Sequence, residues 1–305
     1  MRTVEVGRGG ARALAYAPDG TLYAATGAGR VVAIGVNGEV RELFRVPARE
    51  SGGSFLLVRP GGGDVVHATL APHLSMFRVW DVARARLVFP GNRELGPAGE
   101  FSFEEDERAI RTAVAATFSG PGHLAVHQAD TVRVIGIAGP DPPPDREFTQ
   151  LTRGAAKLAG SGEGSRLAVA TTRGTVVIWD AIGLRLLSQI KLTNRVVPQA
   201  LAVSQTGVVA VALADELRFY DAESDTLTAA SLTAKPATML ALSPVADVCL
   251  SGDGGPGVTV WRGGKPAGRF DFGVGKVRAI AVAPDGLTAV VGGTARQVAV
   301  IDLEG

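Results

Sequence analysis

Gly174-Thr175-Val176-Val177-Ile178-Trp179-Asp180 is a glycine turn, an apolar β-branched run, and an ending on an aromatic and an aspartate. That ending recurs. Tyr220-Asp221, Trp261-Arg262 and Ile301-Asp302 follow Trp179-Asp180 at intervals of 41, 41 and 40 residues. Upstream, Trp80-Asp81 and Ile135-Gly136 hold the same place at wider spacing, and all three tryptophans fall on it. A β-rich unit that repeats every 40 residues or so and closes on an aromatic-Asp pair predicts a ring of small sheets, a β-propeller.

Each unit of such a ring is a four-stranded antiparallel blade, with strands a to d running from the axis outward. Candidate a strands lie at 13–17, 55–59, 112–117, 155–159, 199–204, 239–243 and 277–283. The matching c strands lie at 31–35, 77–81, 132–136, 176–180, 217–221, 258–262 and 298–302, which makes seven blades. Pro18-Asp19-Gly20, Gly162-Glu163-Gly164, Gln205-Thr206-Gly207 and Pro284-Asp285-Gly286 mark the a–b turns, where proline presets φ and glycine accepts a positive φ. The last unit ends too early for a fourth strand, and the first is preceded by a spare one at 3–6. The expected fold is therefore an all-β, seven-bladed propeller, a single domain over 1–305, closed by the N-terminal strand pairing with the last blade. Such closure leaves no exposed sheet edge.

The stretch 174–180 resembles the strand-c motif of WD-repeat proteins, and Ala15-Tyr16-Ala17-Pro18-Asp19-Gly20 and Ala281-Val282-Ala283-Pro284-Asp285-Gly286 resemble the turn after strand a in that family. The resemblance implies a non-enzymatic platform for other macromolecules. The chain is divergent, because the family's Gly-His pair before strand a is missing from every blade; Gly122-His123 lies in an a–b turn instead. Ser251, Asp253 and Trp261 keep parts of the family's side-chain network in blade six alone. The stretches 217–221 and 298–302 look equally like bacterial propellers related to lactonases. That leaves a lactonase-like hydrolase with a metal in the central channel as the alternative.

Composition narrows the classes. A formal charge of +1 gives little long-range pull on polyanions, and aromatics at 6% offer few stacking platforms, so nucleic acid is a poor fit. No apolar run approaches the roughly 20 residues of a membrane span, and the N-terminus lacks a secretory apolar core. Cys249, the one cysteine, excludes an internal disulfide. The chain reads as cytoplasmic and as a monomer, with no cofactor.

Nothing in it reads as catalytic. Propeller enzymes place metal ligands or acids where strand a begins, yet those positions carry Arg12, Arg111, Lys157, Arg278 and neutral residues. His123 and His127 share a face of one strand, and His67 and His73 belong to another blade, without convergent carboxylates to make a metal site. Cys249 sits between Val248 and Leu250, as a buried inert thiol would.

Strand direction sorts the charges. The d–a and b–c loops emerge on one face (the top), the a–b and c–d turns on the other. Arg12, Arg30, Arg49, Arg153, Arg173, Arg195, Lys235, Lys276, Arg278 and Arg296 fall on the top, as does Arg8. Asp19, Asp64, Asp81, Glu163, Asp180, Asp221, Glu223, Asp225, Asp247, Asp285 and Asp302 fall on the bottom. The segregation is incomplete, with Asp130, Asp215 and Asp253 above and Arg84, Arg86, Arg262 and Lys265 below. A ring of basic side chains suits a protein partner with an acidic or phosphorylated segment. Two stretches exceed the blade template: 90–110, with the acidic run Glu104-Glu105-Asp106-Glu107, and 138–147, with Pro142-Pro143-Pro144. The acidic run lies on the top, where it would compete with a partner for the basic mouth.

Overall fold

The computed structural model describes residues 1–46, 53–60, 62–70, 76–82, 84, 86–89, 113–118, 123–128, 131–136, 146–147, 154–183, 185–192, 196–233, 235–244 and 247–304. Among them, 28 strands form seven four-stranded antiparallel sheets. The a strands are Ala11–Tyr16, Gly53–Val58, Ala113–Phe118, Ala155–Gly160, Ala200–Val203, Met239–Leu242 and Val277–Val282, all within two residues of the expected bounds. Consecutive sheets pack side by side, and the seventh returns to the first. The polyproline stretch and the acidic run 104–107 lie outside the described residues; Arg146–Glu147, just after the prolines, is the outer strand of blade three.

The spare N-terminal strand, Arg2–Glu5, pairs antiparallel with Gln297–Asp302, setting Arg2 opposite Val300 and Glu5 opposite Gln297. The Val6 N–H continues the ladder to the Arg296 carbonyl at 2.8 Å. Val4 and Val6 then join a buried cluster with Ala11, Leu14, Leu22 and Val32 of blade one and Ala279, Val290 and Val298 of blade seven. The clasp thus supplies both the missing ladder and part of the seam between first and last blades.

Burial follows the distance from the rim. The b strands Leu22–Thr26 and Val248–Gly252 are buried along their whole length, while the d strands Val40–Arg45 and Lys265–Asp271 are mostly exposed. A continuous apolar run is what a strand covered on both faces requires. Further clusters straddle neighbouring sheets, such as Ile178 and Ile190 of blade four with Val209, Val211 and Tyr220 of blade five.

The repeating aromatic has a local cause as well. Opposite Trp80, Trp179, Tyr220 and Trp261 the d strand carries an extra residue, so the register shifts at that rung in four blades. A bulge of this kind bends the outer strand and increases its twist. Trp179 and Trp261 are buried there, while the Trp80 ring stacks on Phe44 with centroids 4.9 Å apart.

Two outcomes follow from this packing. Deleting residues 1–6 removes a ladder and two buried valines, so the thermal melting temperature should drop sharply; a truncated chain that melts with the parent would show that the ring does not depend on the clasp. Trp179→Ala should cost about 3–5 kcal/mol, read as a shift in the denaturant midpoint.

Candidate functional site

The axial ends of the ring are made by the turns, and the two faces differ in how their charges are used. On the bottom, the aspartate that ends strand c is a turn cap. Asp180 Oδ1 accepts from the N–H groups of Ile182 and Gly183, and Asp221 Oδ1 from those of Glu223 and Ser224. Asp81 accepts from Arg84 N and Asp302 from Glu304 N, so four blades share the device. In the a–b turns, Asp19 and Asp285 accept from the N–H two residues on. These are Asx turns, the local bonds that make aspartate a turn residue. The Gly183 N–H holds Asp180 below the usual carboxylate range, against the raising effect of its slight burial, and the Glu223 N–H does the same for Asp221.

On the top, the candidate basic residues divide into three groups. Arg49, Arg153 and Arg195 lie outside the described residues. Arg30 is engaged: its Nε donates to Glu42 Oε2 at 2.6 Å, and Arg45 donates to Oε1 of the same carboxylate at 2.6 Å. The Arg45 and Arg30 guanidinium groups hold Glu42 below its usual range. Lys235 is exposed beside Asp253. Burial alone would raise Asp253, yet the Gly255 N–H, the Arg269 guanidinium and Lys235 keep it low.

The third group is free of ion pairs. Arg8, Arg173, Lys276, Arg278 and Arg296 are exposed and form no salt bridge with other described residues. Three of them, Arg8, Lys276 and Arg296, belong to loops that are tied together, and Arg278 lies in the strand that one of these loops enters. Lys276 O accepts from Thr294 N at 3.0 Å, Val274 O from Ala295 N at 2.9 Å, and Arg296 O from both Val6 N and Gly7 N. Gly10 sits at φ 62°, so close that a β-carbon would collide with the Gly293 and Ala295 carbonyls. The d–a loop before blade one and both top loops of blade seven are therefore one hydrogen-bonded platform.

Arg12 and Arg278 have a further feature. The a–b register slips between Ala11 and Ala13 and between Val277 and Ala279, which leaves each arginine as the extra residue of a β-bulge. The same slip falls at Val114 in blade three and Ala156 in blade four. Bulges re-aim the side chain they carry, and blades seven and one are neighbours in the ring. Arg278 is exposed; Arg12 is half-buried, its Nε lying where a β-carbon on Gly27 would meet it at 3.0 Å.

The remaining candidates lie apart. Among the described residues no group of three or more His, Cys, Asp or Glu could hold a metal. His67 and His127 are buried in b strands of different blades. Cys249 is buried and free, its thiol pushed up by desolvation and then by the nearby Asp247 charge. In blade six the Trp261 Nε1–H donates to Ser251 Oγ at 2.8 Å, whereas Asp253 accepts from Gly255 N and Arg269 and stands outside that bond. No helix among the described residues is long and apolar enough to cross a membrane.

The fold is similar to that of a chain in the crystal structure of the mitotic checkpoint complex, with a TM-score of 0.70 and 14% identity, covering 99% of this chain and 93% of that one. It is one of 1784 chains with a matching structure, and a fold that widespread does not name a function. No family model and no curated protein matches the sequence.

The aspartate turn caps carry a pH signature. Because the folded-state values of Asp180 and Asp221 are lowered, their contribution is present at neutral pH and is lost as pH falls through those values. Replacing both by Asn, which keeps an acceptor oxygen, should leave the neutral melting temperature nearly unchanged and flatten its decline below about pH 4. Melting curves across that range provide the check.

Proposed function

We propose that this chain is a non-enzymatic, cytoplasmic platform for protein partners, and that its top face recognises an acidic or phosphorylated segment. The observation that carries the reading is the set of exposed cations Arg8, Lys276, Arg278 and Arg296, unpaired with any described residue, three of them set on loops bonded to one another and Arg278 at the bulge of the strand that follows. Guanidinium groups held on a stiff base lose little freedom on pairing with carboxylates or phosphates. Arg12, Arg173 and Lys235 extend the surface toward other blades, and the sequence pattern adds Arg49, Arg153 and Arg195, which lie outside the described residues. Arg30 contributes less, since Glu42 already holds it.

The protein of similar fold belongs to a multi-protein complex, a setting in keeping with this reading. The divergent WD-repeat resemblance points the same way. A hydrolase with a channel metal finds no donor set among the described residues, and no observation favours it.

The test is affinity capture from native lysate with three baits: the parent, a Lys276→Glu/Arg278→Glu/Arg296→Glu variant, and an Asp19→Lys/Asp285→Lys variant of the opposite face. A partner kept by the first and third and lost by the second, with capture weakening as salt rises, is the expected result. Recovery of the same proteins by all three would reduce the basic loops to a solvated rim.

A further inference from the structure

Ring closure seals the seam between first and last blades. The outer strand of every blade nevertheless pairs on one side only and keeps an open edge, contrary to the expectation that closure leaves none. Open edges are templates for pairing with another chain, and charges or prolines on them block it. Six of the seven outer strands follow that rule. Val40–Arg45 carries Arg41, Glu42 and Arg45, Arg86–Phe89 carries Arg86, and Arg146–Glu147 is a pair of charges alone. Arg185–Lys191 and Arg2–Glu5 have a charge at each end, and Lys265–Asp271 has three together with Pro266.

The outer strand of blade five is the exception. Thr226–Leu232, with the sequence Thr-Leu-Thr-Ala-Ala-Ser-Leu, holds no charge, proline or glycine, and five of its seven residues are exposed. Leu232 is 81% exposed, more than any other large apolar residue among those described. The Ser231 hydroxyl donates to the Gly264 carbonyl of blade six at 3.0 Å, which steadies the strand.

The ladder behind this strand decides which main-chain groups are free. The Thr233 N–H bonds to the Asp215 carbonyl, and the register then runs unbroken from Leu232 opposite Glu216 to Ala229 opposite Phe219. Hydrogen-bonded rungs alternate along an antiparallel ladder. Ser231 and Ala229 therefore bond inward, while Ala230 and Leu232 turn their N–H and C=O groups outward. Only this half of the strand is regular, since the extra residue at Thr228 bends the other half away.

Two outward residues spaced by two match a copy of themselves. With a two-fold axis on Ser231, Ala230 of each copy faces Leu232 of the other, so the exposed leucine covers the alanine as the ladder forms. The ends of the strand fit as well. The turn before it carries Glu223, 3.5 Å from Arg166, and Asp225, both exposed, and the loop after it carries the exposed Lys235. Antiparallel pairing brings each acidic end toward the lysine of the other copy, whereas parallel pairing would set like charges together.

We propose that the outer edge of blade five is a self-association site. A second copy of this chain adds its own 229–232 edge antiparallel, joining two four-stranded blades into one eight-stranded sheet. The chain is then a dimer in place of the expected monomer. A ladder this short is a small contact beside the roughly 1,200–2,000 Å2 of a stable interface, so the dimer should come apart on dilution.

Sedimentation velocity of the full chain between about 1 and 300 μM provides the test. The parent should pass from monomer to dimer over that range, and hydrogen exchange in the 226–232 segment should slow as the dimer forms. Leu232→Lys and Ala230→Lys, each shown to melt like the parent, should weaken the dimer about tenfold or more. Lys235→Glu should weaken it about threefold at low salt, and Lys235→Glu/Glu223→Lys should restore it. The Lys276→Glu/Arg278→Glu/Arg296→Glu variant should dimerise as the parent does, which separates this edge from the proposed partner face. A dimer that both lysine variants leave intact, exchange indifferent to concentration, or a charge swap that weakens the dimer further would overturn the proposal. So would a parent that stays monomeric throughout; if Leu232→Lys then lost a protein captured from lysate, the edge would belong to a foreign strand.

Discussion

Each sheet of this ring is apolar on both faces, and so needs a neighbour on each side before its burial is complete. The b and c strands show it most clearly: Leu167, Val177 and Ile178 are fully inaccessible, as are Val209 and Val211 one blade on. The seams between sheets hold the chain's apolar core, and they are continuous only if the last seam is filled. Val4 and Val6 help fill it, from a segment outside the four strands of the first blade. Ring closure is thus the constraint on which the remaining packing rests, and a missing clasp would open an edge and a seam together.

Once the sheets are committed to each other, only their ends are free to do chemistry. The bottom turns spend six of their acids on themselves, Asp81, Asp180, Asp221 and Asp302 capping the turn after strand c and Asp19 and Asp285 the turn after strand a. The top loops are built differently. Those of blades one and seven are held by main-chain bonds between loops, and Lys276, Arg278 and Arg296 face water there without a salt bridge to other described residues. An acidic bottom and a basic top are alike in sequence as charge lists, yet the described aspartates below mostly cap turns while several described cations above form no salt bridge with other described residues.

The period of the aromatic-Asp pair carried the fold, because it samples every blade at one fixed place in the strand order. Bounds of the inner strands were legible to within two residues for the same reason. What the period hid were one-residue events. A bulge at Arg12 or Arg278 adds a residue without disturbing the spacing of the aromatics. Arg30 reads as a free cation until the c–d hairpin brings Glu42 beside it, 12 positions along the chain. The turn-capping role of the aspartates was hidden too, since a charge count cannot tell a carboxylate bonded to its own turn from one offered to a partner.

The clasp also sets a schedule for synthesis. Arg2 has to find Val300, so the first strand emerges from the ribosome and then waits for nearly the whole chain. At about 5–20 residues per second that is a delay of roughly 15–60 s. An unpaired strand of six valines would be a hazard over such an interval. Arg2-Thr3-Val4-Glu5 is not: charges at both ends and a single buried apolar residue between them make it a poor template for stray pairing. The segment that completes the ring is thereby suited to staying single until its partner strand exists.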